Sequence, residues 1–218
     1  MSVGMHYGFV AVPSTVDQLM GAFAEVWRSH ELASRATLSS MDEFLSWKKD
    51  NERLVSAADW TPQDPGVAVY GFLQDGGWAV LLDASCVLCS DMEALATLSQ
   101  SFGSCLSFTI STAGSSASFA SYAQGRLVRS IESLDGKVTT AGDPIPEETG
   151  LQMDSYFLGE SEELQRRLGI RFLGDSAPQE VTAIATVDRT DYTALLTQHK
   201  VAEPSAAAPR KKPWWRPW

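Results

Sequence analysis

Three turn signatures constrain this chain most. Asp75-Gly76-Gly77, Gln124-Gly125-Arg126 and Asp135-Gly136 each separate two runs rich in β-branched, aromatic or alternating apolar residues. Such turns supply the positive φ angles that tight hairpins need. Connections this short cannot carry a parallel crossover, so the runs they join must pair antiparallel. The paired runs are residues 67–73 with 78–83, 119–123 with 127–133, and the latter with 137–140. Between the first pair and the second, Leu106, Phe108 and Ile110 alternate with Cys105, Ser107 and Thr109, as in a strand with one apolar and one polar face.

Helices are expected between and around these strands. Residues 6–12 form a first strand ending at Pro13, and Ser14 or Thr15 caps a helix over 16–29 with Leu19, Phe23 and Trp27 on its apolar face. Ser40 and Glu43 make a capping box for a second helix, and Ser90 and Glu93 for a third that Gly103 stops. A short helix is predicted over 161–168, with Glu162 and Glu163 in its first turn and Arg166 and Arg167 in its last, matching the helix dipole. Residues 181–187 read as a last strand and 191–199 as one or two helical turns. The expected architecture is a single α+β domain over residues 1–200, with a mostly antiparallel sheet and helices packed on one face. Residues 201–218 read as a linker and a tail.

Composition narrows the class. A chain of 218 residues, 44% hydrophobic and 20% charged, can bury a core without a disulfide or metal staple. Three cysteines argue against a secreted disulfide framework, and with Arg28 as the first basic residue no signal peptide is expected, so the expected location is cytoplasmic. The uncharged stretch 94–125 holds nine serines and three threonines, which excludes it as a membrane span. Four of the 17 basic side chains lie in the last nine residues, so residues 1–209 carry 13 basic against 27 acidic groups, a net charge of −14. A body of that charge does not suit a nucleic-acid backbone; it suits a basic protein.

The chain has no Gly-x-Gly-x-x-Gly, P-loop or Gly-x-Ser-x-Gly motif. Its histidines, His6, His30 and His199, are not at metal-ligand spacing, and no metal or cofactor is expected. Cys86-Val87-Leu88-Cys89 lies between a strand and a helix, where helix amides lower a thiolate pKa, and it is the candidate for thiol redox chemistry. Against that, Val87 and Leu88 continue an apolar segment in which free cysteines serve as small buried hydrophobes. The acidic pairs Glu147–Glu148 and Glu162–Glu163 read as part of a solvated acidic face or a docking face for a basic partner. The serines and threonines of 94–125 fit either polar strand faces or a hydroxyl-lined pocket.

The tail is Arg210-Lys211-Lys212-Pro213-Trp214-Trp215-Arg216-Pro217-Trp218. It resembles the Trp-, Pro- and Arg-rich antimicrobial peptides of the indolicidin and tritrpticin kind, and the resemblance implies weak contact with an anionic membrane surface. Docking on a protein partner, or back on the chain's own acidic body, with Arg210, Lys211, Lys212, Trp214, Trp215, Arg216 and Trp218 as contacts, is the first reading of the tail; membrane-surface contact and an end with no role are the others. The pattern from Trp78 to Ser90, with Gly125-Arg126-Leu127-Val128-Arg129, Asp135-Gly136 and Gly142-Asp143-Pro144-Ile145-Pro146-Glu147-Glu148, resembles uncharacterised bacterial α+β proteins, some of the toxin-immunity class. The expected function is a non-enzymatic interaction protein, of which an immunity-type inhibitor or adaptor is one form, using the acidic face, the tail or both. The alternatives are a small-molecule enzyme, with a hydroxyl-lined pocket or the Cys86/Cys89 pair, and a peripheral membrane adaptor anchored by the tail.

Overall fold

The computed structural model describes residues 6–53, 55, 61, 64–172 and 180–189. Within them a single antiparallel sheet of nine strands is assembled: β1 (His6–Val12), β2 (His30–Leu38), β3 (Ala68–Asp75), β4 (Trp78–Leu82), β5 (Ser104–Ser111), β6 (Ser116–Ala123), β7 (Arg126–Leu134), β8 (Lys137–Ala141) and β9 (Val181–Asp188). The spatial order is β2-β9-β3-β4-β1-β5-β6-β7-β8. From β5 to β8 this is the expected meander, with Gln124 (φ +50°) and Gly125 (φ +80°) turning β6 into β7, and Asp135 (φ +50°) and Gly136 (φ +76°) turning β7 into β8. The α+β class and the antiparallel sheet agree with the reading of the sequence.

The helices do not share one face of the sheet. Along β1, Phe9 and Ala11 enter one core and Val10 and Val12 the other. The same alternation runs through β3, β4 and β5, so the middle strands have apolar side chains on both sides and each side needs a cover. The helices α1 (Val16–Val26) and α3 (Met92–Phe102) supply it on one side with Leu19, Phe23, Leu95 and Leu98. On the other side it comes from α2 (Met41–Asn51), through Phe44, and α4 (Leu158–Arg167), through Leu164. Tyr156, Ile170 and Phe172 complete that second core, and Phe9 stacks on Phe108 at 5.0 Å within it.

Several boundaries differ from expectation for local reasons. Thr15 caps α1 in a reciprocal box with Gln18, and Ser40 caps α2, as predicted. For α3 the cap is Asp91 rather than Ser90: Asp91 Oδ1 accepts from the Ala94 amide at 3.1 Å while Oδ2 accepts from Trp27 Nε1 at 3.0 Å. Ser90 instead donates to the Cys86 carbonyl. Helix α4 begins three residues early, which places Glu160 in its first turn and moves Glu162 and Glu163 to its middle. β2 has no counterpart among the expected strands. Residues 191–199 and the tail lie outside the described residues.

Candidate functional site

Strand β7 carries Arg129 on the same face as Ile131, so its guanidinium points towards the core. There it meets Glu148, at the end of a 3₁₀ turn (Pro146–Glu148) in the segment that follows β8. Arg129 Nε and Nη2 donate to the two carboxylate oxygens of Glu148 at 2.8 and 2.7 Å. Nη1 reaches the carbonyls of Gly142 at 2.9 Å and Ala141 at 3.4 Å, and the Ile145 amide donates to Glu148 Oε1 at 3.1 Å. Both side chains are only 4% exposed. Such a two-pronged pair satisfies the buried charges with fixed geometry. Gly142 (φ +77°) lets the chain turn beneath it, since any side chain there would run into the Val128 carbonyl.

Above this pair opens a groove of about 640 Å³. Val138, Ile145 and Met153 supply its apolar surface, and Pro144, Thr149 and Asp154 stand at its sides. Its lining holds Glu148 and Asp154 against Arg129, and Asp143 and Glu147 adjoin lining residues in the chain, with Arg167 reaching the Glu147 carbonyl. Asp143 and Asp154 are exposed. The volume falls in the range that binds a small ligand or one or two large side chains.

The acidic residues singled out from the sequence separate in space. Glu148 is buried in its ion pair and is not part of an outward acidic face. Glu147 is half-buried beside the groove, and its carbonyl accepts from Arg167 at 3.0 Å. Glu162 is exposed on α4. Glu163 is held by Arg166 and Arg167, whose hydrogen bonds lower its pKa to about 2. Arg129 was not among the candidates; an arginine inside the apolar run of residues 127–131 was its signal in the sequence. Arg210, Lys211, Lys212, Trp214, Trp215, Arg216 and Trp218 lie outside the described residues.

The serine-rich stretch does not line the groove. Ser107 Oγ donates to the Cys89 carbonyl at 2.7 Å, Ser99 Oγ accepts from the Gly125 amide at 2.8 Å, and Thr109 and Ser118 pair across strands at 2.6 Å. These hydroxyls serve as backbone partners and strand-to-strand links.

The cysteine segment forms a second cluster, built on Asp83. This carboxylate is fully buried at the end of β4 and accepts from the amides of Ser85, Leu88 and Cys89 and from the Ser85 hydroxyl. It fixes the loop and the 3₁₀ turn (Leu88–Ser90) that lead into α3. Burial, reinforced by the charge of Asp83, pushes the Cys86 thiol up to about 12 and raises Cys89 as well. These thiols are therefore protonated at neutral pH, opposite to the acidified thiol the sequence position alone implies. No group of three or more candidate metal ligands occurs among the described residues, and no helix among them is long and apolar enough to cross a membrane.

The fold and groove together define an α+β protein with an open, partly apolar groove over the Arg129–Glu148 pair at the β7–β8 end of its sheet. Compared with known protein families, curated proteins and solved structures, the chain matches none.

Proposed function

We propose that this protein works by binding and not by catalysis, and that its recess receives a basic segment of a partner protein carrying a bulky apolar or aromatic side chain. The observation that supports this is a groove lined by Val138, Ile145 and Met153 whose unpaired lining charge is the exposed Asp154, with Asp143 and Glu147 next to lining residues in the chain. The buried carboxylate of its lining, Glu148, has both oxygens committed to Arg129, which leaves it unsuited to shuttle protons. An apolar anchor gives such an interface its affinity, while surrounding charge gives encounter rate and selectivity. An immunity-type inhibitor that covers a basic toxin is one form of such a protein.

The chain's own last nine residues, with four cations and three tryptophans, supply a probe of the right chemistry. A fluorescein-labelled peptide of residues 209–218 is titrated into a chain ending at Ala208, and anisotropy is read. Saturable binding is expected, weakened at least about tenfold by Met153→Glu or Asp154→Lys and weakened by added salt. Absence of binding, or equal binding by both variants, overturns the proposal.

A further inference from the structure

The loop between β4 and α3 holds two thiols that the recess does not use. Gly8 of β1 passes beside them. A Cβ built on Gly8 would stand 2.8 Å from Cys89 Sγ and 3.0 Å from Cys86 Sγ, so the two sulfurs flank one carbon-sized gap that glycine leaves open. The sulfurs differ in access. Cys89 is 5% exposed, while Cys86 is only partly buried, so a reagent from solvent meets Cys86 first. Cys86 also holds a φ of +59°, a left-handed conformation costly to any residue with a side chain. The hydrogen bond from the Cys89 amide to Asp83 fixes the backbone of the second cysteine. His6 Nε2 stands 3.7 Å from Cys86 Sγ, near enough to take its proton after a small movement.

We propose that Cys86 and Cys89 form a reversible dithiol–disulfide pair, closed by exchange with a small-molecule disulfide. Cys86 gives its proton to His6 Nε2, and the thiolate attacks one sulfur of the external disulfide. That S–S bond breaks, a mixed disulfide forms on Cys86, and the first thiol leaves carrying one proton. Cys89 then attacks the Cys86 sulfur; the mixed disulfide breaks and the second thiol leaves with the Cys89 proton. Two cysteines lose two electrons and two protons, and the external disulfide is reduced to two thiols. A thiol raised to about 12 is scarce as thiolate at neutral pH, so exchange is slow. The pair records the redox state of its surroundings and does not turn over as a catalyst.

The full chain is incubated with glutathione disulfide and its intact mass is followed. The expected product is lighter by two hydrogens, about 2 Da, and dithiothreitol restores it. Cys105→Ser gives the same product, whereas Cys89→Ser stops at one glutathione adduct. Closure in His6→Asn is at least about tenfold slower. A lasting adduct on the unaltered chain, no change of mass while the unfolded chain reacts, or the same two-hydrogen loss in Cys86→Ser overturns the pair. An unchanged rate in His6→Asn overturns the proton step.

Discussion

At the scale of single residues, the groups that shape this protein are those whose surroundings suppress their charge. Cys86 and Cys89 are held protonated by burial and by Asp83; Cys105 and Tyr156 are raised by burial first of all. A group whose folded pKa lies above its unfolded one binds more protons when folded. Its stabilising effect is complete below the unfolded value and declines as pH climbs towards the folded value. For Cys86 that window runs from 9.0 to about 12. Thermal stability is therefore expected to fall as pH is raised above 9, and melts of the Cys86→Ala/Cys89→Ala variant should show a shallower decline than the unaltered chain. Equal slopes would show that other groups dominate the alkaline limb, Tyr156 among them. Tyr156, fully buried in the core on the α4 side, marks how far that side of the sheet has been closed to water.

At the scale of elements, Arg129 joins β7 to the segment that closes the groove. Removing one partner leaves a buried charge unmatched, and Glu148→Ala is expected to cost about 3–5 kcal/mol in denaturant unfolding. Replacing both, as Arg129→Met/Glu148→Leu, should recover much of that loss, because no bare charge then remains. A double variant as unstable as the single one would contradict this reading. The elements themselves were unequally legible. Hairpins announced by Asp-Gly and Gln-Gly turns, and helices announced by Thr15 and Ser40, follow from local chemistry that tertiary contacts did not override. Strand β2 was silent because its sequence, HELASRATL, shows no sustained alternation, and most of its side chains face solvent. It is a strand because β9 lies beside it, and nothing within its own residues says so. The partnership of Arg129 with Glu148 was hidden for a similar reason. It spans 19 positions and is made by a turn whose path depends on Gly142 meeting the Val128 carbonyl. The cysteine segment was visible as a motif, but Gly8 and His6, which give it its character, come from a distant strand.

At the scale of the whole molecule, the two cores meet along the middle of the sheet, and β9 ties its β2 edge together. β9 pairs with β2 from Leu38↔Val181 to His30↔Asp188 and with β3 from Phe72↔Thr182 to Ala68↔Thr186. Val181, Ala183 and Ala185 enter one core and Ile184 the other. A chain ending at Arg171 is expected to lose cooperative unfolding in a circular-dichroism melt, since β2 is left without a neighbour and β3 with one bare flank. A sharp, unshifted melt would show that the remaining seven strands stand alone. The placement of β9 also sets a timetable. More than a hundred residues separate the end of β3 from the end of β9, a wait of about 10 s at ribosomal speed. During that interval the nascent chain holds an unsealed seam of apolar strand, and any helper that shields it acts before the last strand arrives.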